Sequence, residues 1–228
     1  MTYVFTPPAI PSVEVSGTLE RFPVHRIYCV GRNYAAHARE MGKDPERDPP
    51  FFFSKPNDTI VPNGASVAYP PETSNLHHEI ELVVAIGKGG QNIPREKAHE
   101  HIFGYAVGND LTRRDLQLEA RDKGRPWDTG KGFDQSAPIT AIRRASDIGH
   151  PEKGRIWISV NDQIKQDGDL SELIWSVTEI VSILSGLFKL QPGDLIFTGT
   201  PAGVGPVERG DVMTGGVEGV GELSTRIL

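Results

Sequence analysis

The sequence predicts a strand-rich α+β domain, and three observations lead there. Short apolar runs, "RIYCVG", "ELVVAIG", "GYAVGND", "RIWISVN" and "DLIFTGTP", alternate with Gly and Pro turns, which is the spacing of strands. Helical patterns are fewer. The two do not alternate regularly, which argues against a doubly wound sheet.

Taken in order, residues 1–22 are polar and punctuated by proline and read as an arm or short hairpin ahead of a main domain spanning 23–228. "NYAAHAREMG" predicts a helix with Asn33 as N-cap and Gly42 as stop. "HHEIELVVAIG", His77 to Gly87, reads as one strand. "PREKAHEHIFG" predicts a helix with Pro94 in its first turn. In "LTRRDLQLEARDKG", Thr112 is followed three residues later by Asp115, and Gly124 ends the helix. "SVTEIVSILSGLFKL" pairs Ser176 with Glu179 in a capping box and puts Ile180, Val181, Leu184 and Leu187 on an apolar face.

Composition narrows the function classes. The 228 residues suffice for one large domain or two small ones. Hydrophobic content of 37% and charged content of 24% suit a globular protein. A formal net charge of -6 argues against a nucleic-acid partner. No apolar run has membrane-spanning length, and "MTYVFTPPAIPSVEV" carries prolines where a secretory signal needs its apolar core. The single cysteine, Cys29, permits no internal disulfide, and a reducing cytoplasm is the expected compartment.

The chemistry starts at Glu79 and Glu81. Side chains alternate along a strand, so Ile80, Leu82, Val84 and Ile86 share one face while the two glutamates leave from the other, α-carbons about 6.5–7 Å apart. Two like charges beside apolar surface are unfavourable without a cation. Asp110, just after an apolar strand and before a helix in "GYAVGNDLTRRD", is the natural third acid, although a turn residue there would need no ligand. An all-oxygen set suits Mg²⁺ or Mn²⁺ and disfavours zinc. Nothing in the pattern makes ligands of His77 and His78, and a solvated helix face accounts for His99 and His101. "GRPWDTGKG" has a superficial phosphate-loop look, but its spacing is one residue too long and Gly132 stands where Ser or Thr is required.

In order along the chain, "YCVGRNYAAHAREMG", "FFFSKP", "NLHHEIELVVAIG", "GNDLTRRDLQ", "GRPWDTGKGFD" and "GDLIFTGTPAGVG" resemble the fumarylacetoacetate hydrolase family, in its short acylpyruvate hydrolase branch. The resemblance runs from about Arg21 to the C-terminus. Within that branch the N-terminal stretch is most similar to the fumarylpyruvate hydrolases of gentisate breakdown. It implies a mixed β-sandwich or β-roll with flanking helices, a homodimer, and Mg²⁺ or Mn²⁺ held by Glu79, Glu81 and Asp110. It implies a water-activating pair, His37 and Glu40, whose i,i+3 spacing makes them neighbours on a helix, and an active-site lysine, Lys131. Arg114, Gln117 and Thr200 are implied as contacts to the substrate, with Arg32 and Tyr34 as pocket wall.

The implied reaction is metal-dependent hydrolysis of the C–C bond of a small anionic 2,4-dioxo acid, fumarylpyruvate giving fumarate and pyruvate. Oxaloacetate decarboxylation, or hydration or isomerisation of a related 2-oxo acid, draws on the same enolate stabilisation. A non-catalytic cation-binding β-domain would need neither His37 nor Lys131. A cation near the far end of the pocket would favour a fumaryl diacid. Lys55, Arg121 and Arg125 are available for it, and sequence does not place them.

Overall fold

A computed structural model describes residues 2–40 and 48–228, the side chains of Ala38 and Glu40 excepted. The expected strand-rich fold is borne out. At its centre is a mixed eight-stranded sheet whose main path runs Phe51–Lys55, Ile27–Gly31, Leu195–Phe197, Ile80–Ile86, Ile102–Asn109, Ala137–Ile139 and Ile60–Pro62. Ile27–Gly31 is parallel to Leu195–Phe197, and Ile80–Ile86 is antiparallel to both its neighbours. A five-stranded sheet contains Arg155–Val160 and the C-terminal pair Val212–Val217 and Gly221–Ile227. A three-stranded sheet joins Thr112–Arg113, Leu76–His78 and Gly205–Val207.

Alternation along Ile80–Ile86 divides the interior as the sequence predicts. Ile80, Leu82, Val84 and Ile86 enter one core cluster, with Ile156 and Ile158 of the five-stranded sheet and Val181 and Leu184 of a helix. Val83 and Ala85 enter a second, with Cys29 and Phe197. Both faces of this strand are therefore buried. Ser12–Glu14 and Arg21–Pro23 form a hairpin whose Val13, Val15 and Phe22 close the second cluster.

The α-helices are α1 (Ala35–Glu40), α2 (Arg114–Asp122), α3 (Asp128–Lys131), α4 (Ala145–Ile148) and α5 (Val177–Leu187). α5 carries the expected capping box: Glu179 Oε2 accepts from the Ser176 backbone N–H at 3.0 Å. Its apolar face holds at Ile180, Val181 and Leu184, but Leu187, in the last turn, is exposed. Several other sequence-based expectations change. Asn33 does not cap α1; its side chain donates to the carbonyls of Trp175 and Thr198 and accepts from the Trp175 N–H. The expected stop at Gly42 lies outside the described residues. Arg95–His101 is a 3₁₀ helix with Pro94 as its N-cap residue. Thr112 does not cap α2, because it pairs as strand with His77 and its hydroxyl donates to the Asp110 carbonyl. The strand expected over His77–Gly87 breaks at Glu79, whose N–H donates to the Asn109 side chain while Leu76–His78 joins the three-stranded sheet. No helix among the described residues is long and apolar enough to cross a membrane.

Candidate metal and substrate site

The register of two strands assembles the acids. Ile80 faces Asn109 and Glu81 faces Gly108. One step further, Asp110 donates its N–H to the Glu79 carbonyl at 2.8 Å. Antiparallel pairing thus brings together residues far apart in sequence. Carboxylate oxygens of Glu79, Glu81 and Asp110 lie within 4.8 Å of one another, and all three residues are buried.

Buried carboxylates need partners, and three cations supply them. Lys131 Nζ donates to Glu79 Oε2 at 2.7 Å and to Asp110 Oδ2 at 2.6 Å. It stands at the end of α3, which can lie against α2 because residue 130 is glycine: a Cβ there would fall 2.9 Å from Gln117. Arg114 donates to Glu79 Oε1 and to Gln117 Oε1, both at 2.5 Å. Lys55 Nζ pairs with Asp110 Oδ1 at 2.8 Å and donates to the carbonyls of Lys131 and Leu111. Lys55 was not assigned to this end by the sequence. The signal was present, since Lys55 shares a strand face with Phe51 and Phe53.

The balance of charge is uneven within the trio. Burial pushes Glu79 toward protonation, but Lys131 and Arg114 outweigh it and hold the carboxyl far below its usual range. Among the described residues Glu81 has no such cation in contact. Burial, then Asp110 and Glu79, drive it well above the usual range, and the N–H of Gly199 donates to it at 2.7 Å. Gly199 reaches that position with φ +102° and no room for a Cβ beside Asn33. Lys131 is raised: burial opposes its charge, and Asp110 and Glu79 more than restore it. A buried all-carboxylate donor set whose Glu81 end lacks a positive partner among the described residues fits a hard divalent cation.

The three acids share a small cavity, about 20 Å³, with His37, Arg114, Gln117, Lys131 and Thr200. His37 comes from α1 and is buried. Thr200 is held by Gln166, whose Nε2 donates to its Oγ1 at 2.7 Å. Arg32, Phe53 and Trp127 line this cavity and also an open basin of about 580 Å³. Tyr34 is not among the lining residues; its ring packs in the main core. The side chain of Glu40 lies outside the described residues. Gly199, Phe53 and Trp127 are site residues that sequence reasoning missed, and an isolated glycine or aromatic gives little to find them by.

Comparison with known proteins gives consistent relatives. Residues 26–228 match the family model described as fumarylacetoacetate (FAA) hydrolase C-terminal. The fumarylpyruvate hydrolase of a Ralstonia species is 52% identical over 177 residues, 78% of this chain and 92% of that protein. The mitochondrial oxaloacetate tautomerase of Mus musculus is 41% identical over 201 residues, 88% of this chain and 90% of the other. The crystal structure of fumarylpyruvate hydrolase from Pseudomonas aeruginosa in complex with Mn²⁺ and pyruvate superposes with a TM-score of 0.97 at 57% identity, covering 100% of this chain and 99% of that one.

Proposed function

The chain belongs to the fumarylacetoacetate hydrolase family, and from that premise we propose that it hydrolyses the C–C bond of fumarylpyruvate to fumarate and pyruvate, with Mg²⁺ or Mn²⁺ held by Glu79, Glu81 and Asp110. The observation that carries this reading is the convergence of those three buried carboxylates beside Lys131 and His37 in one cavity. The fumarylpyruvate hydrolase relatives support the substrate, and the Mn²⁺ and pyruvate bound by the Pseudomonas protein support the metal and the product.

A bound divalent cation supplies Lewis-acid stabilisation of the charge that develops on the pyruvoyl oxygens. The remaining work falls to side chains. His37, which the family resemblance pairs with Glu40, removes a proton from water as general base, and the water oxygen adds to the carbonyl distal to the carboxylate. As the C–C bond breaks, its electron pair goes to the pyruvate fragment as an enolate. Lys131, kept charged by Asp110 and Glu79, balances the oxyanion or gives its proton to the enolate carbon, in which case the proton taken up by His37 replaces it. Arg114, Gln117 and Thr200 orient the pyruvoyl carboxylate. The three carboxylates are matched in number by three cations, Lys55, Arg114 and Lys131, which pair with Glu79 and Asp110. A divalent ion therefore makes the site net positive, as an anionic substrate requires.

The tautomerase relative supports a second reading, isomerisation of a 2-oxo acid through the same enolate. One substrate panel separates the two. Purified protein with Mg²⁺ or Mn²⁺ is expected to bleach the ultraviolet absorbance of enolic fumarylpyruvate and release fumarate, to stop with chelator and to recover with added metal. Tautomerisation of oxaloacetate without fumarate release from fumarylpyruvate would overturn the hydrolase reading.

A further inference from the structure

The open basin holds charges that the proposed reaction does not use. Among the described residues its cations are Arg32, Arg121 and Arg125, and Asp128 is the one lining carboxylate. Among the described residues Asp128 makes no ion pair with any of the three. Lys55, the other cation available by sequence, is turned to Asp110 at the inner end.

Arg32 is fixed in place and incompletely satisfied. Its φ of +57° is unusual for a residue with a Cβ. Its guanidinium lies over the rings of Phe51, at 5.4 Å, and Trp127, at 6.0 Å. Phe51 can take that position because residue 31 is glycine: a Cβ there would fall 2.0 Å from the Phe51 ring. The buried Nε of Arg32 has no hydrogen-bond partner among the described residues. Burial and the like charge of Arg121 push this guanidinium below its ordinary value.

A helix end aims the other two arginines at the same basin. Gly124, at φ +62°, donates to the Arg121 carbonyl at 3.1 Å, and Arg125 donates back to Ala120 at 2.7 Å. These are the two bonds of a Schellman motif, which reverses the chain directly after α2. Arg121 is anchored through Asp122. The side chain of Arg125 makes no hydrogen bond or ion pair with any described residue.

Among the described residues only Arg121 of these three like charges has a carboxylate partner, Asp122, and Arg32 keeps a buried N–H without an acceptor, so a further anion in the concavity is favoured. The basin adjoins the inner cavity through Arg32, Phe53 and Trp127, so that anion belongs to the far end of a molecule whose near end is inside. We infer that Arg121 and Arg125, with Arg32 behind them, form a subsite for a second carboxylate at the distal end of the acyl chain, and that Phe51 and Trp127 flank a planar unsaturated chain. The inference rests on the acylpyruvate reading above and adds a selectivity: dicarboxylic acylpyruvates over those with neutral acyl groups.

The test measures kcat/KM for fumarylpyruvate and for acetylpyruvate, which lacks the distal carboxylate, in the wild type and in Arg121→Gln/Arg125→Gln. The ratio is expected to fall about tenfold in the double variant, chiefly through KM for the diacid, as for a partly exposed charge contact. Arg121→Lys/Arg125→Lys should restore part of it. Alongside, equilibrium binding of fumarate and of crotonate, its analogue with a methyl in place of one carboxylate, is measured in chelator. Wild type should prefer fumarate and the double variant should not. A ratio and a binding preference both unchanged within about twofold would overturn the subsite. If the wild type hydrolyses neither dioxo acid, the reaction assignment fails, and the fumarate-to-crotonate preference still decides the subsite.

Discussion

The inner cavity and the outer basin draw on the same materials, cations held near carboxylates and aromatic rings, and put them to opposite uses. Inside, Lys55, Arg114 and Lys131 are buried and each is paired with an acid at 2.8 Å or less. Outside, Arg121 and Arg125 are exposed and Arg32 rests on ring faces. A buried ion pair contributes little net stability when intact but is expensive to break, since the abandoned partner stays desolvated. An exposed cation can be removed at almost no cost to folding. Changes inside should therefore damage chemistry and stability together, and changes outside should move affinity and selectivity alone.

The sharpest separation comes from His37, which lines the inner cavity. His37→Gln is expected to lower kcat for fumarylpyruvate by about 10³-fold, the usual worth of a general base, while metal binding, followed by Mn²⁺ titration, changes little. A variant that keeps near-wild-type kcat would remove His37 from the mechanism and bring the cation-binding domain back into consideration.

The next effect tests stability. Lys55→Met removes the partner of Asp110 Oδ1 and leaves a buried carboxylate with one cation fewer. Unfolding free energy should drop by about 3–5 kcal/mol, seen as a fall of roughly 10 °C in the midpoint of a thermal melt. Added Mn²⁺ should recover part of it, because the ion stabilises the state that binds it. Arg125→Gln in the same assay should lower the unfolding free energy by less than about 1 kcal/mol. Equal shifts for the two would erase the contrast between inside and outside.

A smaller change probes the junction. In Gly31→Ala the new methyl collides with the Phe51 ring, which must leave its seat and give up one face of Arg32. The lost cation–π contact is worth about 0.5–1 kcal/mol. KM for fumarylpyruvate should rise about three- to fivefold at unchanged kcat, a change of that same size.

The same contrast explains what the sequence made legible. Glu79 and Glu81 were readable because strand alternation is local, whereas Asp110 joined them only through a register no local pattern states. Lys55 carried a period-two signal with Phe51 and Phe53, yet its partner came from another strand pair. Gly124 correctly marked the end of α2, but a C-terminal motif does not say which surface the following arginine meets. Thr112 and Asn33 misled for a common reason: both fit helix caps, and tertiary partners claimed them, His77 by strand pairing and Trp175 with Thr198 by hydrogen bonds. Tyr34 was read as pocket wall beside Arg32, and its ring went to the core.

The smallest expected signal is a null one, and it tests how closed the inner end is. Cys29 lies on Ile27–Gly31, fully buried among Val83, Ala85 and Phe197. Burial, and then the charge of Asp110, push its thiol well above the ordinary value, and reactivity follows the thiolate and its accessibility. An aromatic disulfide reagent should leave native protein unlabelled over hours and react with one thiol per chain on unfolding. In Lys55→Met, labelling should appear at the rate of local opening, since the strand Phe51–Lys55 pairs directly with Ile27–Gly31. Rapid labelling of the native wild type would mean that this side of the cavity opens readily. The inner acids would then be neither dry nor held, and the contrast between the two ends would lose its physical basis.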